Sequence, residues 1–161
     1  MKFSRIENQR RLKHFEETCR KAGFKLTHQR REIFREVVKN REHPDAEAVY
    51  RAVRRRIPSV SRDTVYRTLW MLTDLELINV LGASKDRVRF DANLDPHHHF
   101  VCSKCGFTRD FQSPELDDLP IPVSIKDLGS IRNVQVEVRG VCVSCEARKR
   151  SFKNTIQKEK P

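Results

Sequence analysis

The chain has 161 residues, 37% of them hydrophobic and 34% charged, and a formal net charge of +11 at pH 7. This length accommodates one domain or two small ones. Within residues 1–56, 17 Lys and Arg stand against 8 Asp and Glu. A basic N-terminal half is typical of proteins that bind a polyanion. Together with the elements described below, we interpret it as a nucleic-acid-binding surface; the alternative is an ordinary solvated surface.

The sequence also argues against membrane and secreted classes. It contains nothing close to the roughly 18 consecutive apolar residues of a membrane span. The N-terminal segment MKFSRIENQRRLKHF lacks the apolar region of a secretory signal peptide. We therefore expect a cytoplasmic protein with no membrane partner. In a reducing compartment its five cysteines are more often metal ligands or free thiols than disulfides.

The first part of the chain predicts three consecutive helices. Apolar residues recur at helical spacing in each, and Gly, Pro or capping residues separate them. The expected bounds are about residues 5–22, 27–40 and 45–56. Cys19, on the first helix, is expected to be a small buried apolar residue.

A fourth helix follows the capping residue Ser61 and has two rows of side chains. Positions 65, 69 and 72 are apolar and predict a buried stripe. The neighbouring row is polar or aromatic, and we expect it to be accessible. Its candidate DNA contacts are Arg62, Tyr66 and Arg67. Trp70 continues this row, but we expect it in the core or at its rim.

Beyond Leu77 the sequence alternates, which predicts a hairpin of strands 78–81 and 87–90 around a turn at 82–86. Three helices, a fourth with accessible Arg and Tyr, and then a hairpin is the order of a winged helix-turn-helix domain. We assign this domain to residues 1–90. In such domains one helix lies in the major groove of double-stranded DNA and basic side chains contact phosphates. The alternative is that Tyr66 packs inside and the arginines are only solvated.

Residues 91–161 predict a smaller α/β domain, so the overall class is α+β. Residues 100–111 favour two short strands joined by a turn, residues 113–128 a helical segment interrupted by two prolines, and residues 130–141 a strand with one apolar face. A sheet this small would leave that apolar face exposed to solvent in a monomer. Pairing two copies would bury it, so we predict a homodimer. The charged tail is expected to fray.

Two Cys-x-x-Cys pairs supply four thiolates. Cys102 and Cys105 form the first pair, and Cys142 and Cys145 form the second. The spacing lets both sulfurs of a pair point at one ion from a tight turn, and four thiolates complete a closed tetrahedral Zn(II) site. Because such a site has no open position, we expect a structural zinc. The alternative is two unrelated redox pairs or disulfides.

The segment HHHFVCSKCG places three histidines directly before the first cysteine pair. If zinc occupies the thiolates, these histidines are available for a second metal. Along a strand His97 and His99 share one face, and His98 lies on the other. The further candidate donors are His43, Asp91 and Asp110. Imidazoles with carboxylates suit Fe(II), Mn(II), Zn(II) or Ni(II) without selecting among them. The alternative is an ordinary polar surface.

The motifs HQR, HPDAEAVY, SRDTVYRTL, RFD, HHHFVCSKCG and GVCVSC resemble, in order and spacing, the ferric uptake regulator (Fur) family of metal-dependent transcription factors. The resemblance runs from about Thr27 to Cys145. It implies a winged-helix domain that binds DNA and a C-terminal α/β domain that dimerises. It also implies a structural zinc on the two cysteine pairs, and a regulatory metal between the domains that locks the dimer into its DNA-binding shape.

The resemblance further implies which residues bind each metal. The structural zinc ligands would be Cys102, Cys105, Cys142 and Cys145. The regulatory ligands, as in the peroxide-sensing branch, would be His43, Asp91, His97, His99 and Asp110. Iron-sensing relatives tend to carry Glu at the two carboxylate positions, whereas peroxide sensors look like this chain. The chain also has no histidine after His99, unlike iron sensors with extra histidines late in the dimerisation domain.

The expected function is therefore transcriptional repression, not enzymatic catalysis. A homodimer would bind a palindromic operator when its regulatory site holds Fe(II) or Mn(II). Hydrogen peroxide would oxidise an imidazole ligand, His43 or His97, in the iron form, whereas Mn(II) would hold the dimer without that chemistry. The metal ion and peroxide are the only small molecules that we expect to act on the protein.

Three other functions remain possible from the sequence. The first is an iron-, zinc- or nickel-responsive regulator of the same architecture that is insensitive to peroxide. The second is a metal-dependent hydrolase using His97, His99 and a carboxylate, although the sequence has no motif such as His-Glu-x-x-His. The third is a thiol redox switch that releases zinc, which would need exposed cysteines of low pKa.

Overall fold

A computed structural model describes residues 5–40, 42–81, 88–131 and 134–148. The chain divides into two compact units, Met1–Leu94 and Asp95–Pro161, which we call the N-terminal and C-terminal units. Helices and short strands together confirm the α+β class. Among the described residues, no helix combines the length and the apolar character that crossing a bilayer requires.

The N-terminal unit consists of four helices followed by a two-stranded hairpin. Its elements are α1 (Arg5–Lys21), α2 (His28–Lys39), α3 (Ala46–Arg54), α4 (Arg62–Asp74), β1 (Asn79–Leu81) and β2 (Arg89–Asp91). The two strands are antiparallel, with Val80 opposite Phe90. This order confirms the predicted winged helix-turn-helix arrangement. The predicted turn at residues 82–86 lies outside the described residues.

The helix boundaries follow from local capping chemistry. The side chains of Thr27 and Ser61 accept hydrogen bonds from backbone N–H groups three residues further on, as predicted. Asp45 caps α3 in the same way. These oxygens satisfy backbone donors that a helix N-terminus leaves unpaired. Each cap lies at the end of a turn that separates two helices, so the turns and helix starts are specified by the same residues.

The core of the N-terminal unit forms where the helices meet. Phe15 of α1 stacks on Phe34 of α2 with ring centroids 4.6 Å apart. The predicted apolar stripe of α4 is confirmed, since its residues 65, 69 and 72 are fully buried. Cys19 is also fully buried, and burial raises the pKa of its thiol despite the nearby positive charge of Arg30. It is a core residue, as expected.

A cluster of charged side chains ties α2 to the end of α3. Glu32 accepts hydrogen bonds from Arg35, at 2.6 Å, and from Arg56, at 2.9 Å. Arg56 also donates to Glu36 at 2.8 Å. Burial of Glu32 acts to raise its pKa, but the two arginines outweigh that effect and lower it. The folded state therefore holds this carboxylate ionised more strongly than the unfolded chain does.

A carboxylate with a lowered folded pKa stabilises the fold above its unfolded pKa, and loses that contribution as the pH falls. We expect Glu32→Gln to lower the free energy of unfolding by about 1 kcal/mol near pH 7. The penalty should shrink towards zero below about pH 4, where the wild-type carboxylate becomes protonated. Urea unfolding at the two pH values measures this. Glu17→Gln is the control, because Glu17 pairs loosely with Lys13 at 3.9 Å on the surface. Equal losses for both variants would contradict the prediction.

The C-terminal unit is built on a three-stranded sheet of order β4-β3-β5. Its strands are β3 (His98–Cys102), β4 (Thr108–Phe111) and β5 (Glu137–Gly140). β3 is antiparallel to β4 and parallel to β5. Two short helices, α5 (Pro114–Asp117) and α6 (Val123–Lys126), connect β4 to β5, and residues 143–148 are helical. The break between α5 and α6 spans Pro120 and Pro122, as predicted.

The strand predicted over residues 130–141 is shorter than expected. Pairing with β3 begins where the N–H of His99 donates to the carbonyl of Val136, at 3.0 Å. β3 itself begins only at His98, so Val134 and Gln135 lie beyond the end of the strand with which β5 pairs. Residues 132 and 133 lie outside the described residues.

The C-terminal unit leaves many large apolar side chains exposed. All of them are at least 36% accessible to solvent. They come from the α5–α6 connection, from β5 with its approach, and from the residues after it. They are Leu119, Ile121, Val123, Ile125, Leu128, Ile131, Val134, Val138, Val141 and Val143. Scattered single residues of this kind are ordinary, but a concentration in one small unit indicates a surface that a partner covers.

Candidate metal centres

The four cysteines of the two pairs converge in the C-terminal unit. Their sulfur atoms all lie within 4.8 Å of one another. The first pair flanks a turn that follows β3, closed by a 2.9 Å hydrogen bond from the N–H of Gly106 to the carbonyl of Cys102. Gly106 has a φ of 71°, a backbone conformation that favours glycine.

The parallel pairing of β3 with β5 brings the second pair to the first. Cys102 lies opposite Gly140 in that ladder, two residues before Cys142. The N–H of Cys142 donates to the Cys102 sulfur at 3.3 Å, and the sulfurs of Cys105 and Cys142 are 3.7 Å apart. Gly140 leaves room for the ring of Phe100, which would lie 2.9 Å from a Cβ at this position and would have to shift if a larger residue stood there.

The short distances between the four sulfurs mean that they act as one group. The N–H of Cys142 lowers the pKa of Cys102 to about 6, with further help from the N–H of Cys105. By contrast, the crowding of Cys145 by the sulfurs of Cys105 and Cys142 raises its pKa to about 12. Four thiolates this close repel one another unless a cation neutralises them. The donor set and its closed geometry fit a tetrahedral Zn(II).

Two of the predicted nitrogen and oxygen ligands meet in the N-terminal unit. His43 Nε2 lies 3.5 Å from Asp91 Oδ1, and both side chains are almost fully buried. Asp91 ends β2, and its Oδ1 also accepts from the N–H of Asn93 at 2.7 Å. His43 lies in the turn between α2 and α3 with a φ of 51°. The carboxylate and the imidazole thus lie close enough together for one cation to contact both.

The other three predicted ligands meet in the C-terminal unit. His97 Nε2 and His99 Nε2 are 2.8 Å apart. The β3–β4 register places His99 opposite Asp110, whose Oδ1 is 3.7 Å from His99 Nε2 and 4.0 Å from His97 Nε2. The ring of His97 is oriented by Asp95, whose carbonyl lies 2.7 Å from Nδ1. A carbonyl can only accept, so Nδ1 carries the proton and Nε2 offers its lone pair to a cation.

His98 points to the opposite face of β3, as strand alternation predicts. Its Nδ1 accepts from the N–H of Val136 at 3.3 Å, and its Nε2 lies 3.1 Å from Asp117 Oδ1. Nδ1 is therefore the unprotonated nitrogen, and the proton on Nε2 faces a carboxylate. Both nitrogens are engaged within the unit, so His98 connects α5 to the sheet instead of joining the His97–His99 pair.

Comparison with known proteins decides the family. The ferric uptake regulator family matches residues 21–139. This chain belongs to that family. The peroxide-responsive repressor PerR of Staphylococcus epidermidis is 33% identical over 130 residues, which make up 80% of this chain and 86% of the relative. The resemblance inferred from the motifs is thereby confirmed.

Solved structures of the family agree with this fold. The Fur protein of Helicobacter pylori, described as having three functional metal-binding sites, superposes with a TM-score of 0.74 at 25% identity, covering 89% of this chain and 97% of that one. The iron-bound ferric uptake regulator of Francisella tularensis superposes with a TM-score of 0.64 at 26% identity, covering 77% and 96%.

The residues proposed to contact DNA are accessible on α4 of this Fur-family chain. Tyr66 is 44% exposed and does not pack inside. Arg62 and Arg67 have side chains 65% and 81% exposed, and pair with Glu47 at 3.1 Å and Asp63 at 3.6 Å. Trp70 lies at the core's rim with its ring edge against Phe90. The role of these residues in DNA binding stays a prediction.

Sequence reasoning missed the arginines that hold the ligand-bearing segments. Arg89 donates to the carbonyl of His43, and Arg11 of α1 donates to the carbonyl of Ala92, directly after Asp91. Arg89 stands in the motif RFD two residues before the predicted ligand Asp91, which is a weak positional signal. Arg11 lies 81 positions from its partner, so no local pattern could have indicated that contact.

The thiolate cluster makes a direct prediction. Wild-type protein should contain one Zn(II) per chain, and Cys142→Ser should lose it, because three thiolates cannot close the site. Without the ion, the segments that follow the neighbouring strands β3 and β5 lose their connection, and we expect the C-terminal unit to unfold at a lower temperature. Elemental analysis and thermal unfolding measure both effects.

Ser144→Ala is the matched control, because Ser144 lies between the second pair of cysteines and carries no sulfur. It should retain zinc and wild-type stability. A Cys142→Ser protein that keeps a full complement of zinc, or that keeps its stability after losing zinc, would contradict the prediction.

Proposed function

We propose that this Fur-family chain is a metal-dependent, DNA-binding repressor that acts as a homodimer and senses peroxide through a regulatory Fe(II) or Mn(II). The observation that carries the proposal is the pairing of nitrogen and oxygen donors inside each unit. His43 with Asp91 forms one partial site, and His97 with His99 and Asp110 forms the other. Neither set alone is a complete coordination sphere, and together they supply three imidazoles and two carboxylates.

One ion held by both sets would fix the angle between the two units. A two-unit protein without the ion samples many angles, and only a fraction of them suits an operator, which weakens the apparent affinity in proportion. Metal binding removes that loss, and linkage requires that DNA tighten metal binding by the same factor. Mixed imidazole and carboxylate donors suit Fe(II) and Mn(II).

The DNA-binding role is assigned to the N-terminal unit. Arg62, Tyr66 and Arg67 are exposed on α4, the helix that a winged helix-turn-helix inserts into the major groove. The excess of Lys and Arg in the N-terminal part of the chain supplies phosphate contacts around it. A palindromic operator in double-stranded DNA follows from two-fold symmetry of the dimer.

The dimer is assigned to the C-terminal unit. Its exposed apolar side chains, such as Val123, Leu128 and Val143, leave a surface that a second copy would bury. The four-thiolate zinc site keeps β3 and β5 together, and with them the elements that present this surface. We therefore assign the zinc a structural role.

Peroxide sensing is the finer part of the proposal. It is supported by the carboxylates Asp91 and Asp110 and by the identity to the peroxide-responsive repressor PerR of Staphylococcus epidermidis. Fe(II), when bound, supplies the one-electron chemistry that activates peroxide. The protein's part is to hold His43 and His97 where oxygen can be added to the ring. An oxidised imidazole is a poor ligand, so the units would separate and the repressor would leave DNA.

A peroxide-insensitive regulator of iron, zinc or nickel is the second candidate. It is favoured by the structural likeness to the Fur protein of Helicobacter pylori and to the iron-bound regulator of Francisella tularensis. The two candidates differ only in how the iron-loaded protein responds to peroxide. A regulatory role is preferred over hydrolysis because the chain belongs to a family of regulators and because the donors lie in two incomplete sets.

The peroxide response can be measured by mass. Protein loaded with Zn(II) and Fe(II) without oxygen should lose DNA binding after brief exposure to hydrogen peroxide. Peptides containing His43 or His97 should gain the mass of one oxygen atom. The Mn(II)-loaded protein is the control and should keep both its mass and its DNA binding. If the Fe(II)-loaded protein still binds DNA after exposure to peroxide, the second candidate is favoured. If it loses DNA binding without oxidation of a histidine, the proposed mechanism is overturned.

The DNA-contact assignment can be tested on α4. We expect Arg67→Gln to weaken binding to a duplex, selected by the wild-type protein from random sequences, by about 1–3 kcal/mol, or roughly 5- to 150-fold. Lys13→Gln removes the same charge from the exposed face of α1 and should change the affinity less than threefold. Fluorescence anisotropy with both metals bound gives the comparison. If both variants weaken DNA binding equally, Arg67 is not part of the recognition surface.

A further inference from the structure

The loop that carries His43 is fastened to β2 by several hydrogen bonds. Arg89 Nη1 donates to the carbonyl of His43 at 2.9 Å and to that of Glu42 at 3.2 Å. The N–H of Phe90 donates to the carbonyl of Pro44 at 3.0 Å. A β-bridge also pairs Asp45 with Arg89. Successive residues of the loop are thus held by neighbouring residues of one strand.

The backbone of His43 needs this support. Its φ of 51° lies in the left-handed region, which residues with a Cβ rarely adopt. The next residue is Pro44, whose ring disfavours helical conformations in the residue before it and prefers an extended one. Two local preferences therefore oppose the conformation that turns the His43 ring towards Asp91. Contacts from elsewhere in the unit must stabilise it.

Arg89 is suited to that task because of where it stands. It lies two residues before Asp91 on the same strand, and its guanidinium holds the His43 carbonyl. The same short strand thus carries one proposed ligand and fixes the backbone of the other. β1 pairs along the whole of β2, with Leu81 opposite Arg89 and Asn79 opposite Asp91, so the hairpin gives Arg89 a rigid base.

We propose that Arg89 is a positioning residue that holds His43 in its left-handed conformation beside Asp91, and so prepares this half of the regulatory site for its metal ion. This inference rests on the proposed function of that site. Without the guanidinium, the loop would relax towards conformations in which the imidazole points elsewhere. Metal binding would then have to re-form the strained conformation at the expense of affinity.

The test is a mutant cycle on the full chain with its zinc in place. Mn(II) is titrated into the protein, and free Mn(II) is measured by electron paramagnetic resonance. Arg89→Met should weaken Mn(II) binding about tenfold, a typical effect of removing a group that orients a ligand. Arg89→Lys keeps the charge on a shorter side chain and should give an intermediate affinity. Arg10→Met, an exposed arginine of α1, is the control and should bind like wild type.

The decisive comparison is the effect of Arg89→Met in a protein that already carries His43→Ala. If Arg89 acts through His43, Arg89→Met should weaken Mn(II) binding no further once the imidazole is gone. A purely structural role would give the same tenfold loss in both backgrounds, as would a general effect of charge. Circular dichroism of the metal-free proteins reports whether each variant folds. If Arg89→Met does not fold, the same mutant cycle is measured with Arg89→Lys.

The outcomes separate the inference from the function on which it rests. If His43→Ala alone leaves Mn(II) affinity unchanged, His43 is not a ligand and the proposed regulatory site fails. If His43→Ala weakens binding but neither Arg89 variant does, the site stands and the inference is overturned. Additive losses in the double variant also overturn it.

Discussion

Both candidate metal centres depend on the register of one strand, β3. Within five residues it carries His99 on one face, His98 on the other and Cys102 at its end. Antiparallel pairing with β4 places Asp110 opposite His99, and parallel pairing with β5 brings the second cysteine pair to the first. A slip of one residue would exchange the two faces. The donors that β3 carries, His99 and Cys102, would then point to the wrong side.

The two donor sets differ in chemistry in a way that suits different tasks. Backbone N–H groups of Cys142 and Cys105 lower the pKa of Cys102 to about 6, whereas the neighbouring sulfurs raise the pKa of Cys145 to about 12. Such a cluster needs a permanent cation, and a closed thiolate site offers no position for a further ligand. The nitrogen and oxygen donors are divided between two units, and each set is incomplete. Under the proposed function, an ion held by these incomplete sets would be easier to remove than the zinc, which is the property that a regulatory site requires.

Pre-organisation within the N-terminal unit lowers the cost of using that site. Asp91 is fixed by the β2 strand and by the N–H of Asn93, and the segment after it by Arg11. His43 stays in an unfavourable backbone conformation because the neighbouring strand binds its loop. If they are ligands, as proposed, both side chains would therefore lose little further conformational freedom on binding a metal ion.

Much of the fold could be predicted from the sequence, because caps, periodicity and turn residues act over a few positions. Thr27, Ser61 and the apolar stripe of α4 are of this kind, and so are the Cys-x-x-Cys turns and the alternation of His97, His98 and His99. The strand predicted over residues 130–141 is longer than the observed β5, because the length of β5 depends on where its partner β3 begins. That boundary is not encoded in the strand itself.

What the sequence by itself determined is which donors exist and which of them share a face or a turn, since backbone geometry sets those relations locally. Only the tertiary structure decided that β5 runs parallel to β3 and so joins the cysteine pairs. It also decided that Arg89 and Arg11 reach across the N-terminal unit to hold the segments around His43 and Asp91. These contacts join positions far apart in the chain. Their formation depends on the packing of whole helices and strands, which no local pattern specifies.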